Sequence, residues 1–162
     1  MLSSKLKALH SGGLFPLINN ILMFFSIMFW NCQSALSRDF QRTFKALVHN
    51  YKPMMVALLE PKISEKKTDN FILKSGFERS HRIEAMGFSG GIWLLWNEGF
   101  HMEILANYKQ FIHLRLSNSY GLISWITTIY ASPIRTARNM LWRELDEVAH
   151  TVEGPWLLGG GL

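Results

Sequence analysis

Short, dense apolar runs recur along this chain: residues 21–30 (ILMFFSIMFW), 54–59 (MMVALL), 91–96 (GIWLLW) and 122–130 (LISWITTIY). None approaches the roughly 20 residues that a membrane-spanning helix needs. Continuous apolarity over so few residues marks a strand buried on both faces, where a half-exposed strand would alternate. Residues 122–130 carry the strongest strand signal, because β-branched and aromatic side chains fill them. Residues 102–106, residues 111–116 with alternating Ile112, Leu114 and Leu116, and a start at Trp156-Leu157-Leu158 add further strands.

Helical periodicity separates these runs. Ser37 is placed to cap a helix whose apolar positions Phe40, Phe44, Leu47, Val48 and Tyr51 share one face. Lys52-Pro53 stops it, since the residue before proline is pushed out of the helical region. The polar stretch with Lys62, Lys66, Lys67 and Asp69 predicts a loop and a short helix ending near Gly76. After Ser132-Pro133 a second clear helix has Ala137, Met140, Leu141, Leu145, Val148, Ala149 and Val152 as its buried stripe. Helix–strand alternation mixed with a meander of consecutive strands predicts a layered α/β sandwich.

At 162 residues the chain suits one domain, and 48% hydrophobic against 18% charged residues excludes disorder. A single cysteine, Cys32, excludes an internal disulfide and a cysteine-based zinc cluster. Seventeen Lys and Arg against twelve Asp and Glu give +5, a balance that favours a polyanionic partner or a phosphate-bearing substrate. Lys5 and Lys7 before the first apolar run have the order of a signal peptide. The strand reading is preferred, because Phe and Ile dominate the run and the polar cluster Asn31-Cys32-Gln33-Ser34 ends it. Residues 1–20 are then expected to be a poorly ordered leader and residues 21–162 the domain, with no membrane segment. Secretion with cleavage near residue 35 would remove Asn31.

The scattered histidines form no metal-ligand pattern. Ser89 in Gly-Phe-Ser-Gly-Gly is followed by a strand, where a nucleophile elbow demands a helix. Gly159-Gly160-Gly161 lacks the Lys-Ser/Thr of a phosphate loop. Lys62, Lys66, Lys67, Lys74, Arg79 and Arg82 form a basic stretch in which Lys62 and Arg82 are candidates for nucleic-acid contact; a solvated charged face explains the stretch equally well. Three polar residues stand out by position: Asn31, Glu60 and Tyr130 each end a strongly apolar strand, the edge where α/β sheets collect ligand-handling groups. A carboxylate there suits a hard cation such as Mg²⁺, a phenol suits a phosphate oxygen, and an amide orients either.

The ordered series Phe29-Trp30-Asn31-Cys32-Gln33, Leu58-Leu59-Glu60-Pro61, Gly87-Phe88-Ser89-Gly90-Gly91-Ile92, Ile129-Tyr130-Ala131-Ser132-Pro133 and Gly154-Pro155-Trp156-Leu157-Leu158-Gly159-Gly160 resembles the endonuclease/exonuclease/phosphatase superfamily. Within it, the chain is most similar to the endonuclease domain of plant non-LTR (LINE-type) retroelements. The resemblance implies a deoxyribonuclease-like four-layer α/β sandwich, of which this chain is the N-terminal portion, and Mg²⁺-dependent hydrolysis of phosphodiesters in DNA. It implies Glu60 as metal ligand, Asn31 as the amide that organises the catalytic carboxylates, Tyr130 as the contact to the scissile phosphate, and Gln33 near the metal.

The departures carry expectations too. The family's Gly-Asp-Phe-Asn motif is here Gly160-Gly161-Leu162, so a glycine replaces the aspartate that serves as general base. The closing Ser-Asp-His motif would lie beyond Leu162, and Ser34 stands where a glycine is usual. Little or no nuclease activity is therefore expected. The alternative is a non-enzymatic retroelement remnant with weak nucleic-acid binding; either belongs inside the cell, in the nucleus. Most of the second sheet is expected to lie in the absent half, leaving an apolar sheet face exposed to water and prone to self-association.

Overall fold

The structure, a computed structural model, describes residues 25–32, 37–61, 65–83, 91–119 and 121–161. The expected leader over residues 1–20, together with Gln33, Ser34, Lys62 and Ser89, lies outside them. Eleven elements follow in order: β1 (Ile27–Asn31), α1 (Arg38–Tyr51), β2 (Met55–Leu59), α2 (Glu65–Ser75), β3 (Arg79–Ile83), β4 (Ile92–Trp96), β5 (His101–Tyr108), β6 (Phe111–Asn118), β7 (Gly121–Tyr130), α3 (Arg135–Ala149) and β8 (Trp156–Gly161).

They build two four-stranded sheets, β1-β2-β4-β3 and β5-β6-β7-β8. Strands β1 and β2 run parallel, as do β7 and β8; the other pairs are antiparallel. The period of two along each strand decides what every face packs against. From β2 and β4, Met55, Ala57, Leu59, Ile92, Leu94 and Trp96 meet Ile112, Leu114, Leu116 and Ile126 of the second sheet. The alternate residues Val56, Leu58, Trp93 and Leu95 pack under Phe40, Phe44 and Phe71 of the helices α1 and α2. On the far side, Leu141, Leu145 and Val148 of α3 cover Phe111 and Ile129. The order of layers is therefore helices, sheet, sheet, helix: the layered α/β sandwich expected from the pattern, in the four-layer form that the resemblance implies.

Helix α1 begins where Ser37, in extended geometry, accepts a hydrogen bond from the Phe40 N–H at 3.0 Å. It ends in a left-handed Lys52, with φ of 43°, whose N–H returns to the Val48 carbonyl. Tyr51, expected in the buried stripe, is 67% exposed because it closes the helix just before this reversal. In α3 the buried row is Leu141, Leu145 and Val148; Met140, one residue and so about 100° away from Leu141, is turned to water. Ala149 likewise falls on the wet side.

Two larger corrections concern the sheets. Strand β3 was not predicted, because Arg79-Ser80-His81-Arg82 has no apolar signature; it forms as the outer partner of β4 and is tied by ion pairs of Arg79 with Glu98 and Arg82 with Asp69. The second sheet is not missing either. The meander β5–β6–β7 together with β8 supplies one, and its Ile112, Leu114, Leu116 and Ile126 cover the inner face of β2 and β4, which the sequence leaves to the absent half.

Candidate active site

Parallel pairing brings strand ends together. The register of β1 with β2 sets Asn31 opposite Leu59, so Asn31 and Glu60 leave the first sheet side by side. The register of β7 with β8 does the same for Tyr130 and Gly161. The two sheets then oppose these ends, which brings the Tyr130 phenol within reach of the charge and hydrogen bonding of the Glu60 carboxylate. A Cβ built on Gly161 would lie 3.7 Å from the Asn31 side-chain nitrogen and 3.7 Å from Leu59 Cδ1. Asn31, Glu60, Tyr130 and Gly161 thus surround one corner of the sandwich.

Each member is held by its backbone. Glu60 takes a left-handed conformation with φ of 57°, unusual for a residue with a Cβ, and its N–H donates to the Gly91 carbonyl at 3.1 Å. Strain of this kind costs on the order of 1–3 kcal/mol and clusters at functional sites. The Cys32 N–H and Sγ both donate to the Leu59 carbonyl, fixing the turn out of β1 beside it. Opposite, the Tyr130 N–H donates to the Gln110 carbonyl at 2.8 Å and the Ala131 N–H to the Gly161 carbonyl at 2.9 Å. The Gln110 side chain accepts from the Ser132 N–H and donates to the Ala137 carbonyl. Arg138 donates to the carbonyls of Ser132 and Pro133. Nothing in the sequence marks Gln110: a lone glutamine in the turn between two strands carries no pattern.

Burial raises the Tyr130 phenol above its ordinary value of 10.0, and the hydrogen bond and negative charge of Glu60 raise it further. At neutral pH the phenol is therefore a proton-bearing donor. A carboxylate such as that of Glu60 offers about four acceptor sites. Among the described residues, no three His, Cys, Asp or Glu side chains converge. The donor set at this corner is one carboxylate and one amide, which is compatible with Mg²⁺, an ion that keeps several waters and takes as few as one or two carboxylates.

The closing glycines differ in kind. A Cβ at Gly159 would collide with the Phe29 ring, and one at Gly160 with the Ile129 carbonyl, where φ is also 143°. Gly161 has only ordinary van der Waals neighbours and no left-handed φ. The fold requires the first two to be glycine and leaves the third free. Of the nucleic-acid candidates, Arg82 is bound to Asp69 at 2.6 Å, and Lys62 lies outside the described residues.

The layer order and the strand-end corner define the class: this is an endonuclease/exonuclease/phosphatase-type fold. Among solved structures, the endonuclease domain of TRAS1, a telomere-specific non-LTR retrotransposon, is similar with a TM-score of 0.62 and 12% identity, covering 84% of this chain and 59% of that one. An AP endonuclease from Archaeoglobus fulgidus follows with a TM-score of 0.59 and 14% identity, over 83% of this chain and 56% of that one. TDP2 from D. rerio, complexed with a single strand DNA product, gives 0.59 and 13% over 82% of this chain and 57% of that one. The chain therefore spans little more than half the length of these proteins. No family model matches it, and no curated protein matches it in sequence.

Proposed function

We propose that this chain is a DNA-directed, Mg²⁺-dependent phosphodiesterase domain of the endonuclease type, derived from a non-LTR retroelement, whose hydrolytic step is impaired at position 161. The observation that carries this reading is the convergence of Asn31, Glu60 and Tyr130 at one corner, with Gly161 facing Asn31 across it. The likeness to the TRAS1 endonuclease domain and to the DNA-complexed TDP2 supports the substrate class. A nuclear location follows from that substrate.

In this reading Glu60 would hold the cation with the Asn31 amide beside it, and the single Tyr130 proton would turn from Glu60 to a phosphate oxygen when substrate binds. Mg²⁺ held by Glu60 and Asn31 would supply stabilisation of the negative charge on the phosphate oxygens. Among the described residues, this corner holds no general base. Asn31 is neutral, Tyr130 keeps its proton at neutral pH, and Glu60 would be taken up by the cation. General-base assistance is worth roughly 10²–10⁴-fold, and Gly161 offers no side chain to supply it. The second reading is a non-enzymatic remnant that only binds nucleic acid, favoured by the same want of a base.

Plasmid nicking with and without Mg²⁺ tests both. The wild-type chain is expected to leave the plasmid closed, whereas Gly161→Asp, which the local space admits, is expected to nick at least about 10²-fold faster. Glu60→Ala in the Gly161→Asp background should abolish the gain. Mg²⁺-dependent nicking by the wild-type chain, lost in Glu60→Ala, would overturn the impairment. A folded Gly161→Asp protein that binds DNA and never nicks would favour the remnant.

A further inference from the structure

Outside this corner, helices α1 and α2 enclose a cleft on the outer face of the first sheet. Its cavity of about 160 Å³ is lined by Gln41, Lys45, Lys67, Asn70, Lys74 and Ser75 above the rings of Phe44 and Phe71. Three ammonium groups line it and no carboxylate does. The described carboxylates of the two helices are engaged with arginines: Asp39 with Arg42 at 3.7 Å and Asp69 with Arg82 at 2.6 Å. Among the described residues, none of the three lysines has an ion-pair partner.

The charge is concentrated here. Helices α1 and α2 carry six Lys and Arg against three Asp and Glu, whereas α3 on the opposite face carries three of each. Like charges set around a low-dielectric floor repel one another unless an anion lies between them. The spacing selects the anion. Lys67 and Lys74 are two helical turns apart, about 10 Å along α2, and Lys45 reaches in from α1. A single phosphate gathers its donors at one point, while a row of phosphates meets donors strung out in this way. Phe44 and Phe71 pack on each other with ring centroids 5.2 Å apart and are buried, so they offer no face for a base to stack on. Contacts are then to the backbone alone and carry no sequence preference.

We propose that the α1–α2 cleft is a second, sequence-independent docking surface for the phosphodiester backbone of a nucleic acid, with Lys45, Lys67 and Lys74 as its contacts. It stands apart from the strand-end corner and does not depend on any reaction there. The test is anisotropy binding of a fluorescein-labelled duplex, without Mg²⁺, across a salt series. Lys45→Gln/Lys67→Gln/Lys74→Gln is compared with Lys109→Gln/Arg135→Gln/Arg143→Gln, which removes the same charge from the opposite side; glutamine keeps helix propensity near that of lysine. The cleft variant is expected to lose about 2–3 units of the log–log salt slope and more than tenfold in affinity, while the control keeps the wild-type slope. Equal losses in both variants would reduce the effect to net charge, and no loss in the cleft variant would remove the surface; either overturns the proposal. Displacement of the duplex by inorganic phosphate at constant ionic strength would overturn it in favour of a small-anion site. Glu60→Ala should leave the slope unchanged, so failure of the strand-end reading is separately visible.

Discussion

Strands β2 and β4 of the first sheet are buried along their whole length and carry only apolar side chains, whereas the second sheet buries His113, Thr127 and Thr128. The His113 ring lies parallel to Trp125, centroids 5.6 Å apart, and its Nδ1 is 2.8 Å from Thr127 Oγ1. Thr127 also accepts from Trp156 Nε1 at 2.8 Å. Among the described residues, His113 Nε2 and Trp125 Nε1 find no partner although both are buried. The first sheet is thus held by area removed from water and by packing, and the second adds a polar cluster whose contribution depends on protonation. The strand-end corner takes Glu60 from the first and Tyr130 from the second, so its geometry depends on both kinds of support.

The largest break in this contrast should come from the apolar side. Trp93, fully buried between β4 and the α1–α2 layer, is expected to cost about 3–5 kcal/mol when truncated to alanine, read as a lower midpoint in urea. A drop below about 1 kcal/mol would mean that the first sheet is not the tighter half. At the edge of the second sheet, Gly160→Ala is expected to cost on the order of 1–3 kcal/mol because of its φ and the Ile129 carbonyl, while Gly161→Ala should stay within about 0.5 kcal/mol. Similar melting shifts for the two would contradict the difference between them.

The smallest effect is a pH dependence confined to the second sheet. Burial lowers the His113 imidazole below its ordinary 6.5, so the unfolded chain binds this proton more readily than the folded one. The stability contributed by the neutral ring is complete above pH 6.5, is lost as pH falls toward the depressed value, and changes no further below it. The slope from this one group is at most about 1.4 kcal/mol per pH unit. Thermal melts of wild type and His113→Gln at pH 8 and pH 5 check it: the gap between the two should narrow on acidification. A gap that is constant or widens would show that His113 is not buried as the neutral ring.

Much of this was legible in the chain. The apolar runs became β1, β2, β4 and β7, Ser37 became the cap of α1, and the residues that end those runs, Asn31, Glu60 and Tyr130, came together at one corner. These succeed because burial on both faces writes a continuous signal into a few neighbouring residues. Strand β3 was illegible because pairing with β4 and ion pairs to residues distant in sequence, not an apolar pattern of its own, make it a strand. Gln110 was illegible because its role lies in bonds to Tyr130, Ser132 and Ala137, none of them near it in sequence. Lys67 and Lys74 were read as part of a basic stretch, but their meeting with Lys45 across the cleft belongs to the packing of α1 on α2.

The sequence by itself determined which segments other than β3 are strands and helices, which of their side chains are apolar enough to be core, and which polar residues stand at strand ends. Those properties follow from sterics and hydrophobic periodicity, which act over a few residues. Only the tertiary structure decided that β5 to β8 form a sheet of their own, that this sheet covers the first, and that Glu60 meets Tyr130. A strand's local pattern says that a face must be buried, but the face that covers it is chosen by the packing of the whole chain.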